Sequence, residues 1–223
     1  LILRGTFMYF ALLAALRAEF PDAEIGLYPG CPIAAEDRSQ IPAAAAAARD
    51  ADLVIAAVGD RAGMFGRGTS GEGCDVADLS LPGVQDDLVG TLLETGTPVV
   101  LVVVSGRPYA LGAHTAAAAV VQAFMPGEEG GQAIAGVLSG RINPSGRLPV
   151  QVPRMTGGQP STYLQPPLGA NSEGVSNLDP TPLFPFGHGL SYTSYEYGDL
   201  SLSSAELPAD GTLTVSVRVT NTG

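Results

Sequence analysis

Apolar residues recur along this chain in two alternating registers, and the alternation predicts its elements. From Thr6 to Glu19 they fall on most faces among strong helix formers and end at Pro21-Asp22, the pattern of a well-buried helix. Glu24 to Tyr28 then reads as a strand ended by Pro29-Gly30. Pro42 to Asp50 is an alanine-rich helix, and Leu53 to Val58 is an apolar run of strand length. Pro82 to Thr95 places Val84, Leu88, Leu92 and Leu93 on one face, with a proline suited to a first helical turn and Gly96 as the stop. Val99 to Val104 is a continuous apolar strand of the kind buried on both faces. Tyr109 to Thr115 reads as a short helix, Ala119 to Met125 as a strand, and Glu129 to Leu138 as a helix stopped at Gly140, with Glu128 and Glu129 favouring the dipole at its start.

Alternating helices and apolar strands predict an α/β fold, a mostly parallel sheet with helices on both faces. Parallel strands deliver their following loops to one edge, where ligands of open α/β sheets are met. That edge should carry the long loop after Val58, Ser105-Gly106-Arg107-Pro108 and Pro126-Gly127-Glu128-Glu129, with a cleft where the three converge. From Asn143 the chain changes to short extended pieces punctuated by proline and glycine. Leu148 to Val152 is a candidate last strand of the sheet, and Pro160 to Gly189 a long segment wrapped over a surface. Thr212 to Val219 alternates as a half-buried strand that opens a sandwich, and Phe184 to Tyr192 is an aromatic clasp between the sheet and that sandwich.

Composition narrows the chemistry. With 45% hydrophobic and 15% charged residues in 223, the chain can bury a substantial core. A formal charge of −11 repels nucleic-acid phosphates, so nucleic acid is excluded as a partner. All 11 basic residues are arginine, which removes a lysine Schiff base or a phosphate-binding lysine from this chain. Cys31 and Cys74 are too few for a disulfide framework or a zinc site and read as unpaired. His114 and His188 lie far apart without a third ligand, so neither a metal nor another cofactor is expected. Thr6 to Leu16 is too short to span a bilayer and leads into no small-residue cleavage site, so it reads as a core helix and no membrane association is expected.

The candidate chemistry concentrates between Gly59 and Ser80. Glycines at 59, 63, 66, 68, 71 and 73 make a flexible loop around one carboxylate, Glu72, which has no adjacent basic residue. Glu72 is therefore the candidate functional centre. Gly66 to Gly71 matches the dinucleotide fingerprint, but that motif needs a helix to open at once, and a carboxylate there would repel a pyrophosphate. Ser70 is not a nucleophile elbow, because Glu72 stands where that motif requires glycine. Arg67, Phe65 and Ser70 are candidates for hydrogen bonding and stacking against a sugar, and Gly71 and Gly73 for shaping the loop. Asp75 and Asp78 read as structural, bonding loop amides or capping the helix that Pro82 opens.

Several stretches together carry a resemblance. Thr69-Ser70-Gly71-Glu72-Gly73-Cys74-Asp75, Leu79-Ser80-Leu81-Pro82-Gly83-Val84-Gln85, Pro126-Gly127-Glu128-Glu129-Gly130-Gly131, Asn143-Pro144-Ser145-Gly146-Arg147-Leu148-Pro149 and Phe184 to Tyr192 resemble the second half of glycoside hydrolase family 3. That family contains β-glucosidases and β-xylosidases. The resemblance implies that residues 1–152 form an (α/β)6-sandwich domain, that 153–200 connect it onward, and that 201–223 open a fibronectin type III-like domain. It also implies that Glu72 is the general acid/base of a retaining, exo-acting glycosidase, protonating the leaving oxygen and then deprotonating the water that releases the sugar. A carboxyl in that role holds its proton near neutral pH, which a desolvated cleft beside a second carboxylate favours.

In the family the nucleophile is an aspartate followed by tryptophan on a preceding TIM barrel. This chain has no tryptophan and no room for a barrel. The expectation is a fragment inactive alone, whose partners are the barrel of the same enzyme and a β-linked oligosaccharide or glycoside. The alternative is a non-catalytic carbohydrate-binding or interaction domain of the same fold, which would not need Glu72.

Overall fold

The computed structural model describes residues 7–157, 174–175, 177 and 179–223. The apolar run at its centre is β2 (Val99–Val104), which pairs in parallel with β1 (Val54–Gly59) on one side and β3 (Ala119–Gln122) on the other. Because successive strand side chains point to opposite faces, β2 feeds two cores. On one face Val54, Ala56, Val58, Val99, Leu101 and Val103 pack against Ile41, Ala44 and Ala48 of α2 (Ile41–Arg49) and Leu88, Val89 and Leu92 of α3 (Gln85–Leu93). On the other, Ala57, Val102 and Val104 pack against Tyr9, Leu12, Leu13 and Leu16 of α1 (Phe7–Glu19) and Ile134 and Ala135 of α4 (Gly130–Ser139). The parallel sheet with helices on both faces is the one the hydrophobic pattern predicts. Of the six-stranded sandwich that the resemblance implies, three strands form a ladder among the described residues. Their register, from Val54↔Val99 to Gly59↔Val104 and from Val100↔Ala119 to Val103↔Gln122, brings the succeeding loops to one edge.

Four elements differ most from expectation, each for a local reason, and the helix expected over Tyr109 to Thr115 shortens to a 3-10 turn at Gly112–His114. Glu24 to Tyr28 forms no ladder, only a bridge at Tyr28; Ile25 alone is partly buried there, and an exposed segment lacks the buried face that sets a register. Helix α3 starts at Gln85 rather than Pro82, because Gly83 takes a left-handed φ of +61° and breaks the chain between them. Leu148 to Val152 does not extend the parallel sheet. Leu148 and Val152 instead make antiparallel contacts with His188 and Phe184 (N to O 2.9 Å in each), and Pro149 between them can donate nothing. The fourth is a strand not expected at all, β4 (Tyr195–Leu202), which pairs antiparallel with β5 (Val215–Asn221) and straddles the boundary expected at residue 200. Its ladder shifts register between Gly198 and Ser201, where Asp199 has φ +53° and the strand bulges. Both strands are exposed along their whole length, so the half-burial expected of Thr212 to Val219 is not seen in β5.

The aromatic run Phe184 to Tyr192 seats against the α/β layers. Phe184 packs on the α2–α3 core and stacks on His188 at a centroid distance of 5.0 Å, while the Tyr192 hydroxyl donates to Val137 O in α4 at 2.7 Å. Most of the Pro/Gly-rich stretch before it, residues 158–173, 176 and 178, lies outside the described residues. Among the described residues no helix is long and apolar enough to cross a membrane.

Candidate active site

The loop after β1 begins with a buried carboxylate. Asp60, only 3% exposed, follows directly on the apolar run of β1 and cannot reach solvent. Its Oδ2 accepts from Gly106 N at 2.8 Å, and its Oδ1 accepts from Thr69 Oγ1 at 2.7 Å and from the Tyr109 hydroxyl. A buried carboxylate is tolerable when its lone pairs are filled in this way. Tyr109 is fully buried; burial first, then the hydrogen bond to Asp60 and that residue's charge, push its phenol well above the ordinary value, so it remains a donor. Tyr9 is pushed the same way by burial, with Asp60 and Cys31 adding to it.

From Asp60 the chain doubles back on itself. Thr69 N donates to Arg61 O (2.8 Å), Gly63 N to Ser70 O (2.9 Å) and Phe65 N to Glu72 O (2.8 Å), so the outgoing and returning arms are laced together. The spacing between them is backbone against backbone: a Cβ on Gly71, whose φ is +122°, would stand 2.0 Å from Gly63 O. The glycines thus serve close self-packing, not the looseness that their number suggests. Arg107, on the loop after β2, fastens the returning arm: Nη1 donates to Thr69 O at 2.7 Å and Nη2 to Cys74 O at 2.8 Å. On the inner side Gln85, also 3% exposed, accepts from Gly59 N (2.6 Å) and donates to Gly59 O (2.8 Å) and Ile33 O (2.9 Å), tying α3 to the end of β1.

Glu72 sits on this laced arm at the carboxyl edge of the sheet. Its side chain is exposed and takes part in no hydrogen bond or ion pair among the described residues. Phe65 lies opposite it across the Phe65–Glu72 backbone bond, 74% exposed and with φ +54°. Arg67 is exposed too, its guanidinium without a partner among the described residues. Ser70 is turned the other way, buried so close to Gly106 that a Cβ there would meet its Oγ at 1.9 Å. It fills the seam between two loops, which leaves Phe65 and Arg67 as the exposed members of the three candidates. Gly73 has φ +70°. Asp78 accepts from Ser80 N at 2.8 Å, and that amide, then the Ser80 hydroxyl, hold its carboxyl below the usual range. Asp75 is exposed and bonds no loop amide among the described residues; Asp60 accepts from the Gly106 amide, while Arg107 bonds loop carbonyls.

The loops after β1 and β2 meet as expected; the third side is reached at Ser105, whose N donates to Phe124 O (3.0 Å) and whose Oγ accepts from Gln122 Nε2 (3.0 Å), both residues lying before Pro126 to Glu129. His114 is a buried core histidine, its Nε2 2.6 Å from Asp86 Oδ1. Cys31 and Cys74 are both buried and unpaired, and burial, with Asp87 and Asp37 adding, pushes the Cys31 thiol up to about 11.

Sequence reasoning singles out neither Asp60, Arg107 nor Gln85. The signals that point to them are faint: an acidic residue abutting a buried strand, one arginine on an edge loop, and a polar residue in register with Leu88 and Leu92 on a buried helix face.

Comparison with known proteins bears on this arrangement. Residues 4–192 match the model of the glycosyl hydrolase family 3 C-terminal domain. A β-xylosidase of Formosa agariphila is 38% identical over 96% of this chain, which covers 30% of the relative's length. A periplasmic β-glucosidase of Salmonella typhimurium is 40% identical over 83% of the chain and 25% of its own. Among solved structures, a β-glucosidase from Erythrobacter marinus superposes with a TM-score of 0.77 at 36% identity, covering 95% of this chain and 32% of that one. A β-glucosidase from Listeria innocua, in complex with isofagomine, does so with a TM-score of 0.79 at 28% identity, over 95% and 30%. The chain therefore spans about a third or less of the length of these relatives. It belongs to glycoside hydrolase family 3, and what it carries is the family's C-terminal domain.

Proposed function

We propose that Glu72 is the general acid/base of a retaining, exo-acting β-glycosidase that removes terminal β-linked glucose or xylose. In this reading a TIM barrel of the same full-length enzyme supplies the nucleophile and most contacts to the sugar, and the 223 residues alone do not turn over. The observation that carries it is the state of Glu72: a carboxyl exposed at the ligand edge of the sheet, free of any ion pair among the described residues, on a backbone tied to its neighbours. The names of the relatives, β-glucosidases and β-xylosidases, support the substrate class.

The chemistry runs in two proton transfers. As the barrel's carboxylate attacks the anomeric carbon, the Glu72 carboxyl gives its proton to the departing glycosidic oxygen. The Glu72 carboxylate then takes a proton from the water that attacks the glycosyl-enzyme, which releases the sugar with retained configuration and restores the acid. Exposed Phe65, whose amide bonds Glu72 O, and exposed Arg67 on the same loop are the residues offered to the leaving group.

The test is Glu72→Gln in the full-length enzyme, barrel included. For a methyl β-glycoside, which cannot leave unprotonated, kcat/KM should fall by roughly 100-fold to 10,000-fold. For a dinitrophenyl β-glycoside kcat/KM should hold while kcat falls, because the second step still lacks its base. Azide, a nucleophile with no proton to lose, should then raise kcat and yield the β-glycosyl azide. A loss equal for both leaving groups, with no effect of azide, would remove Glu72 from the chemistry and favour the carbohydrate-binding alternative.

A further inference from the structure

We propose that Arg107 is the positioning residue for Glu72, an inference that rests on the acid/base reading above. One guanidinium spans the segment that carries Glu72, bonding the carbonyl of Thr69 on one side and of Cys74 on the other. Its donors sit in a rigid planar fork, so these two carbonyls are held at a set separation, which a flexible ammonium could not do. A glycine-rich arm left to itself would sample many backbone states. The fork removes that freedom on both flanks of the carboxyl that must meet a glycosidic oxygen.

The anchor is itself anchored. The carbonyl of Arg107 accepts from Ser105 Oγ at 2.7 Å, and that hydroxyl accepts from Gln122 of β3. Gly106 N is held by Asp60, which through Thr69 Oγ1 also holds the arm that Arg107 grips. The cation is thus engaged by backbone carbonyls and by the Tyr109 side chain, with no bond to the Glu72 carboxyl among the described residues. That distinction matters chemically, since a salt bridge would keep a carboxyl ionised and unable to act as an acid.

The experiment uses the full-length enzyme with Arg107→Ala, Arg107→Lys, Glu72→Gln and the double variant Arg107→Ala/Glu72→Gln, each checked by its melting temperature. If Arg107 acts through Glu72, Arg107→Ala lowers kcat/KM for the methyl β-glycoside by about 100-fold. For the dinitrophenyl β-glycoside, whose leaving group departs without a proton, the loss stays under about 5-fold. The double variant should then be no slower than Glu72→Gln alone, because a misplaced acid that is already absent costs nothing more. Arg107→Lys should behave like Arg107→Ala, since it keeps the charge and loses the fork; where Arg107→Ala fails to fold, this variant carries the test. Losses equal across leaving groups, losses that multiply in the double variant, or a wild-type Arg107→Lys would each overturn the proposal. If instead Glu72→Gln alone showed no leaving-group dependence, the acid/base reading itself would be at fault.

Discussion

Replacing Gln85 with leucine tests how the end of β1 is held. The side chain is buried and makes three bonds: it accepts from Gly59 N at 2.6 Å and donates to Gly59 O at 2.8 Å and Ile33 O at 2.9 Å. Leucine matches the size and satisfies none of them. The two Gly59 groups are buried and would each cost about 1 to 2 kcal/mol when left unpaired, while the part-buried Ile33 carbonyl can turn to water at about 0.5 kcal/mol. Against that, leucine gains roughly 1 kcal/mol of apolar burial. The net loss is about 1.5 to 3.5 kcal/mol, a fall in melting temperature of roughly 3 to 14 °C for a chain of this size. Thermal unfolding followed by circular dichroism measures it, and a shift under about 2 °C would mean that water satisfies Gly59 and that Gln85 is not the tie. Gln85→Glu adds a sign. Ionised, the new carboxylate would face two carbonyl oxygens; protonated, it can donate to one and still accept from Gly59 N. Its folded pKa would be raised, so the variant should come closest to wild type at acid pH and lose stability as pH rises through that value. A deficit independent of pH would refute this reading of the contacts.

Single contacts elsewhere make further predictions. Gly71→Ala drives a Cβ to 2.0 Å from Gly63 O at a φ of +122°, so the two arms of the loop must part. In the full-length enzyme kcat/KM for an unactivated glycoside should drop about 100-fold, with circular dichroism unchanged; wild-type activity would mean the arms need not touch. At the other end of the molecule, Glu19 accepts from Arg141 Nε (2.8 Å) and Nη2 (2.9 Å) and from Ser139 Oγ (2.6 Å), joining the end of α1 to the end of α4. The Arg141 bonds first, then that of Ser139, hold its carboxyl below the ordinary value. The resulting stability is present above the usual glutamate range and is lost as pH falls through the lowered value. Glu19→Gln should therefore melt below wild type at neutral pH and converge on it in acid, and a gap that persisted in acid would count against the ion pair.

Much of the fold is legible in the sequence because burial leaves a period. Val99 to Val104 is apolar at every position and does lie between two helical layers, and Val84, Leu88 and Leu92 do mark a buried stripe. Periodicity fails where burial is weak or divided. Glu24 to Tyr28 is largely apolar yet exposed except at Ile25, and β4, which mixes polar with apolar residues, pairs with a partner thirteen or more residues away through a connection whose tight turn is at Pro208 to Gly211. At the candidate site, Glu72 is legible as a lone carboxylate among glycines, and Phe65 and Arg67 as exposed neighbours. Ser70 is not, since nothing local tells a serine that lines a cleft from one that seals a seam against Gly106.

By itself the sequence determined the alternation of helix and strand, the edge at which the loops gather, the place of Glu72, and a family resemblance carried by short motifs. All of these rest on neighbours within a turn or two of each other. Only the tertiary structure decided that the glycine loop is laced shut, that Asp60 is its buried acceptor, and that Arg107 and Gln85 hold it from either side. The bonds that Asp60 makes to Gly106 and Tyr109, and those of Arg107 and Gln85, join residues from 26 to 52 positions apart. Their partners are chosen by the register in which β1 and β2 pack, a property of the assembled sheet that no stretch of chain contains.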